Sequence, residues 1–245
     1  MNQTIDTLLN HRSIRQFKNT KITDEQLDYI IRSAQQASTS SYMMAYTIIG
    51  ITDADKKAAL AEVSGQPYVE DNGHLLVFCA DLHRQTHTAT SEDYKQMLEN
   101  LENCEHFLVS AIDAALAAQN AAIAAESMGL GICYLGSLRN HLERVDELLA
   151  LPTHVIPLFG MAIGEPAHKP DRKPRLPISA VYFENEYTPH EDAIEKFDDQ
   201  IAEYYQSRSS NNRSDTWTEQ MHRRFKKTMR MDVTDLVQKK GFNKR

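Results

Sequence analysis

Residues 110–136 read SAIDAALAAQNAAIAAESMGLGICYLG, and this stretch decides the fold class. Its first 17 residues hold nine alanines, with Ile112, Leu116, Gln119 and Ile123 recurring at helical spacing. Small side chains around most of the circumference let other helices approach closely, so a buried central helix is predicted over 110–126. Gly129 supplies a C-terminal stop. Gly131 to Gly136 then reads as a buried strand. The order is helix, glycines, strand. A dinucleotide-binding fingerprint needs strand, glycines, helix, so Gly129-Leu130-Gly131 is not one.

Working outward, Ile5, Leu8 and Leu9 suggest a short first helix. Thr23-Asp24-Glu25-Gln26 reads as a capping box that opens a second helix, with Leu27, Ile30, Ile31 and Ala34 as its apolar face. Ala45 to Ile51 and Leu75 to Ala80 read as strands. Leu142 to Leu151 is a short helix before a further strand over Val155 to Ile163. Helices and strands mix without strict alternation, so the class is α+β, with a central mixed sheet flanked by helices. Beyond Gly164, Pro166, Pro170, Pro174 and Pro177 impose an extended loop. Asp192 to Tyr205 is helical again. Gln206 to Asp215 is polar and reads as an exposed, mobile loop.

The chain has 245 residues, 41% of them hydrophobic, enough for a sizeable core. A net charge of −7 argues against a dedicated nucleic-acid binder. No apolar run is long enough to suggest a membrane span, and the N-terminus lacks a basic-then-apolar leader pattern. Cys79, Cys104 and Cys133 are odd in number and widely spaced, which suits free thiols in a reducing cytoplasm. Residues 217–245 carry nine Lys/Arg against three Asp/Glu, which leaves −13 on the rest of the chain. Phe225, Met229, Val233 and Leu236 keep an apolar pattern there. The tail therefore reads as a helical arm on an acidic partner surface, such as a second copy of the chain, rather than as a nucleic-acid arm.

Three clusters could carry chemistry. His11-Arg12-Ser13-Ile14-Arg15 gathers cations and a hydroxyl that could clamp a phosphate. Lys173-Pro174-Arg175 holds two cations on a stiffened loop. Ser38-Thr39-Ser40-Ser41 could hold the edge of a heteroaromatic ring. Taken alone, the first two are equally solvated surface turns, and the third a turn that caps its own backbone. Cys79, His83 and His87 are spaced four apart, but Cys79 falls in an apolar strand run, so no metal site is expected. Neither a phosphate-binding P-loop nor a nucleophile-elbow serine motif occurs.

His11-Arg12-Ser13-Ile14-Arg15-Gln16-Phe17 resembles the N-terminal flavin signature of the nitroreductase family. Gly65-Gln66-Pro67-Tyr68, Tyr134 to Asn140 and Lys173 to Pro177 resemble the same family in the same order. Ser209 to Trp217 is similar to the branch of oxygen-insensitive NADPH nitroreductases and NADPH flavin reductases. The resemblance covers residues 1–245 as one nitroreductase-like domain with an extension over 166–245. It implies a homodimer with FMN at the subunit interface and the C-terminal extension wrapped around the partner. It further implies that His11, Ser13, Lys173 and Arg175 bind the FMN phosphate with Arg12 close by, and that Arg15 faces the N1/O2 edge of the isoalloxazine. Ser38, Thr39, Ser40, Ser41 and Gln66 would contact the ring and ribityl chain, and Leu135, Gly136 and Ser137 would lie along the flavin. Arg208 and Arg213 would take the 2′-phosphate of NADPH. Met43, Met44 and Ser137 depart from residues common among relatives, which bears on acceptor preference.

The expected activity is two-electron, ping-pong reduction of nitroaromatics, quinones or similar small-molecule acceptors by NADPH. The alternatives are an NADPH-dependent flavin reductase and a non-catalytic flavin-binding protein. No side chain needs to act as a nucleophile or acid, because the flavin carries the chemistry.

Overall fold

The structure is a computed structural model that describes residues 2–207 and 213–245. The chain divides into two compact units, Met1–Pro170 with Arg230–Arg245, and Asp171–Met229.

In the larger unit, four strands form one sheet in the order β1-β2-β4-β3: β1 is Tyr46–Ile51, β2 His74–Asp81, β3 Gly131–Leu135 and β4 Val155–Gly164. All their ladders are antiparallel, and the parallel component of the expected mixed sheet is confined to an isolated bridge between Ser13 and Ile132. Strand β2 is buried along its whole length, so both faces of the sheet are covered. Because successive side chains alternate, Leu76 and Phe78 pack on one side while Leu75, Val77 and Cys79 pack on the other. Burial pushes the Cys79 thiol up to about 12.

The first face is covered by α2 (Asp24–Gln35) and α5 (Cys104–Ser127). The Thr23 capping box opens α2 as expected, and Ile30 and Ala34 are fully buried. Helix α5 starts earlier than expected, because the Asn103 side chain accepts the His106 N–H and caps it there. Its burial also departs from expectation. The alanines at 114, 117, 118, 121, 122 and 125 face the core, whereas Leu108, Ile112 and Leu116 are 50%, 56% and 44% exposed. Alanine lets the helix sit close to α2 and the sheet, and the larger side chains are thereby turned outward. By length and composition α5 could cross a membrane, but in this fold it is a core helix with one apolar face left open.

The second face is covered by α3 (Ala54–Ser64) and α6 (Leu142–Leu149), through Leu60, Val63 and Val145. The end of the chain, including α9 (Val233–Lys239) and Phe242, packs beside α4 (Ser91–Leu101). In the smaller unit, α7 (Glu191–Gln206) and α8 (Trp217–Lys226) share a small core of Phe197, Ile201, Tyr205 and Trp217. Thr216 caps α8 with a capping box.

Candidate functional site

The His11–Arg15 cluster is tied to β3 by one residue. Ile14 is 5% exposed, and its N–H donates to Ile132 O at 2.8 Å. A Cβ on Gly131 would stand 2.5 Å from Ile14 Cγ1, so the segments cross this closely only because residue 131 is glycine. With Ile14 inward, His11, Arg12 and Arg15 stay accessible. His11 Nδ1 lies 2.8 Å from Glu126 Oε1 at the end of α5. Arg12 Nη1 donates to Asn10 O, and its buried Nε has no partner. Arg12 also lines a cleft of about 720 Å³ with Asn10, Glu126, Gly131 and Lys169.

Arg15 meets a second group. Burial raises the pKa of the Cys133 thiol and of the Tyr68 hydroxyl, and the nearby Arg15 guanidinium opposes both shifts. Tyr68 belongs to the turn that follows Gly65 and the exposed Gln66, where Gly65 takes a left-handed φ of 66°. Ser137 Oγ bonds Ser64 Oγ at the end of α3, which brings residues 135–137 to the same turn. Arg15, Gln66 and the 135–137 segment are thus neighbours through the end of α3 and the edge of β3.

The serine run sits elsewhere. Ser40 N donates to Asp113 on α5, whereas His11 bonds Glu126 on the same helix. Thirteen residues of helix separate these anchors, or about 20 Å along the axis. Within one chain, Ser38, Thr39, Ser40 and Ser41 are therefore remote from the His11–Glu126 contact.

In the smaller unit, Lys173 Nζ lies 5.6 Å from the centre of the Tyr205 ring, and Arg175 Nη1 donates to Lys173 O. Both line an apolar cleft of about 610 Å³ with Leu176, Ile178, Val181 and Trp217. Arg213 is exposed, while Arg208 and the middle of the 206–215 loop lie outside the described residues.

The charge pattern fits a phosphate-bearing ligand. The protein has 34 acidic residues, yet among the described residues none forms an ion pair with Arg12, Arg15, Lys173, Arg175 or Arg213. The buried, unpartnered Nε of Arg12 suits an anionic acceptor such as a phosphate oxygen. Sequence reasoning missed Glu126, Tyr68, Cys133 and Asp113 as partners of the site. Only Asp113 carried a signal, as a lone carboxylate on the alanine-rich face of α5.

Known proteins resemble this chain along its length. The family model described as "Nitroreductase family" matches residues 8–165, and "Nitroreductase family, C-terminal domain" matches 173–245. The chain is 52% identical to a protein of Bacillus subtilis (strain 168) named FMN reductase (NADPH), over 100% of both chains. It is 44% identical to an NADPH-dependent oxidoreductase of Staphylococcus haemolyticus, over 98% of both. Among solved structures, the NfrA1 nitroreductase of B. subtilis superposes with a TM-score of 0.94 at 51% identity, covering 99% of this chain and 100% of that one. The NADPH:FMN oxidoreductase of Vibrio harveyi, complexed with NAD+, superposes at 0.89 and 38% identity over 100% of both.

Proposed function

Because this chain belongs to the nitroreductase family, we propose that it is an FMN-dependent NADPH oxidoreductase that reduces nitroaromatics, quinones or flavins. The structural observation that carries this reading is Arg12, whose buried Nε has no hydrogen-bond partner and which lines a cleft of about 720 Å³. When bound, FMN supplies the relay of two electrons from nicotinamide to acceptor.

The residues hold and orient. His11, Ser13, Lys173 and Arg175 are the phosphate ligands, with Arg12 beside them. Arg15, steadied by Tyr68, places a positive charge at the N1/O2 edge, where reduction accumulates negative charge. Gln66, Leu135, Gly136 and Ser137 line the ring. Arg208 and Arg213 take the 2′-phosphate that distinguishes NADPH.

The working form in this proposal is a homodimer in the cytoplasm. Its support is the exposed row Leu108, Ile112 and Leu116 together with the distance between the serine run and His11. A second copy seated on α5 would bring its own Ser38–Ser41 to the flavin.

A second reading, supply of free reduced flavin, is favoured by the name of the B. subtilis relative. The test is a panel of nitrofurazone, a quinone and free FMN, assayed with NADPH. Parallel double-reciprocal lines with nitro or quinone acceptors support the first reading. Turnover with free FMN alone supports the second. A protein that neither binds FMN nor oxidises NADPH defeats both.

A further inference from the structure

Helix α5 carries one carboxylate on its buried face. Asp113 is 1% exposed, Oδ1 accepts the Ser40 N–H at 3.0 Å, and Oδ2 accepts the Ala45 N–H at 3.1 Å. Between these two amides the backbone is unusual. Ser41, Tyr42 and Met44 have φ of 50°, 58° and 47°, in the left-handed region that side-chain-bearing residues disfavour. Such a segment persists only where its surroundings over-determine it. Here they do: Gln85 Nε2 donates to Met43 O at 2.7 Å and Arg84 Nη1 to Met44 O at 3.2 Å. The clamped loop presents Tyr42 at 83% exposure.

We infer that Asp113 is a positioning residue that pins both ends of the 40–45 loop and so presents Ser40, Ser41 and Tyr42 to flavin and acceptor in one backbone form. A carboxylate suits this task because it offers two acceptor oxygens and no donor. Asparagine, of the same shape, would turn an NH2 toward one of the two backbone N–H groups. One donor would then face another, and one end of the loop would come free. What the loop meets rests on the proposed function; the pin itself does not.

Amide hydrogen exchange, FMN titration of apo-protein and acceptor kinetics test this together in wild type and Asp113→Asn. In wild type the Ser40 and Ala45 amides are expected to be protected, a measurement that needs no variant to fold. In the variant, protection of at least one of them should fall by about fivefold or more, with β2 amides unchanged. The Kd for FMN should rise about tenfold. The ratio of kcat/KM for a quinone to that for nitrofurazone should shift while KM for NADPH holds. Unprotected wild-type amides overturn the pin. Loss of protection with unchanged FMN affinity and acceptor ratio overturns the positioning role. A wild type that binds no FMN overturns the proposed function instead, and the exchange data still decide the pin.

Discussion

His11 Nδ1 lies 2.8 Å from Glu126 Oε1, so one carboxylate of α5 determines which nitrogen of His11 is free for a ligand. A carboxylate only accepts, so Nδ1 donates to it, and Nε2 can meet a phosphate oxygen only as the second N–H of an imidazolium. Carboxylate–histidine pairs orient metal-bound imidazoles in the same way. Glu126→Gln keeps the shape but exchanges a charged hydrogen bond for a neutral one. That costs roughly 1 kcal/mol, or about fivefold in FMN affinity. Fluorescence titration of apo-protein with FMN measures it, and unchanged affinity would remove Glu126 from the site.

Arg15 and Arg175 lack ion-pair partners among the described residues, so their loss should harm the ligand more than the fold. Arg15→Ala with Arg175→Ala is expected to yield colourless protein with nearly wild-type circular dichroism. Two charged hydrogen bonds at roughly 1.5–3 kcal/mol each amount to a loss of about a hundredfold or more in affinity. A double variant that purifies yellow contradicts the assignment.

Ile112 is 56% exposed at the middle of the outward row of α5. Ile112→Asp should leave the monomer fold intact while splitting the proposed dimer, because a charge at the centre of that interface would be left unpaired. Light scattering should report one chain per particle, and bound FMN should fall together with the dimer. A monomer that still holds FMN tightly would show that one chain completes the site.

Arg213 is exposed and makes no ion pair among the described residues, so its removal should not disturb the fold. Arg213→Ala should raise KM for NADPH about tenfold, the worth of one charged hydrogen bond at about 1.4 kcal/mol per decade. Arg208→Ala should behave alike. Activity with NADH should barely change, because it has no 2′-phosphate to lose. Equal damage with both cofactors would mean that the loop shapes the site generally.

His154 is 2% exposed, its Nε2 lies 2.8 Å from the Tyr94 hydroxyl, and its backbone N–H donates to Lys240 O. Burial, assisted by Lys244, holds its pKa below the usual 6.5. The unfolded chain therefore takes up the proton more readily than the folded one. The stability tied to neutral His154 is present above pH 6.5 and is lost as pH falls below it. His74, also lowered by burial, acts in the same direction. Tm should drop between pH 7 and 5. It should drop less in His154→Asn, which tolerates the left-handed φ of 62°. An identical pH slope in that variant would assign the effect to other groups.

Much of the fold was legible where local chemistry decides it. The Thr23–Gln26 capping box, the Leu75–Ala80 run and Gly129 each act within a few residues, and each lies where the pattern put it. The outward turn of Ile112 and Leu116 was not legible, because apolar spacing does not say which partner a face will meet. The contacts of His11 with Glu126 and of Ser40 with Asp113 join residues far apart in sequence, and no spacing encodes them. The His11–Arg15 cluster gained weight only when the buried, unpartnered Nε of Arg12 could be seen.

The crossing of Ile14 over Gly131 also dictates an order of events on the ribosome. The first cations leave the exit tunnel early, but the strand they lean on is made only after the chain has reached Ile132. The His11–Arg15 cluster therefore waits for its scaffold until more than half of the 245 residues have been joined. A flavin held there as proposed is acquired only after that point, and cofactor supply cannot guide the earlier steps of folding.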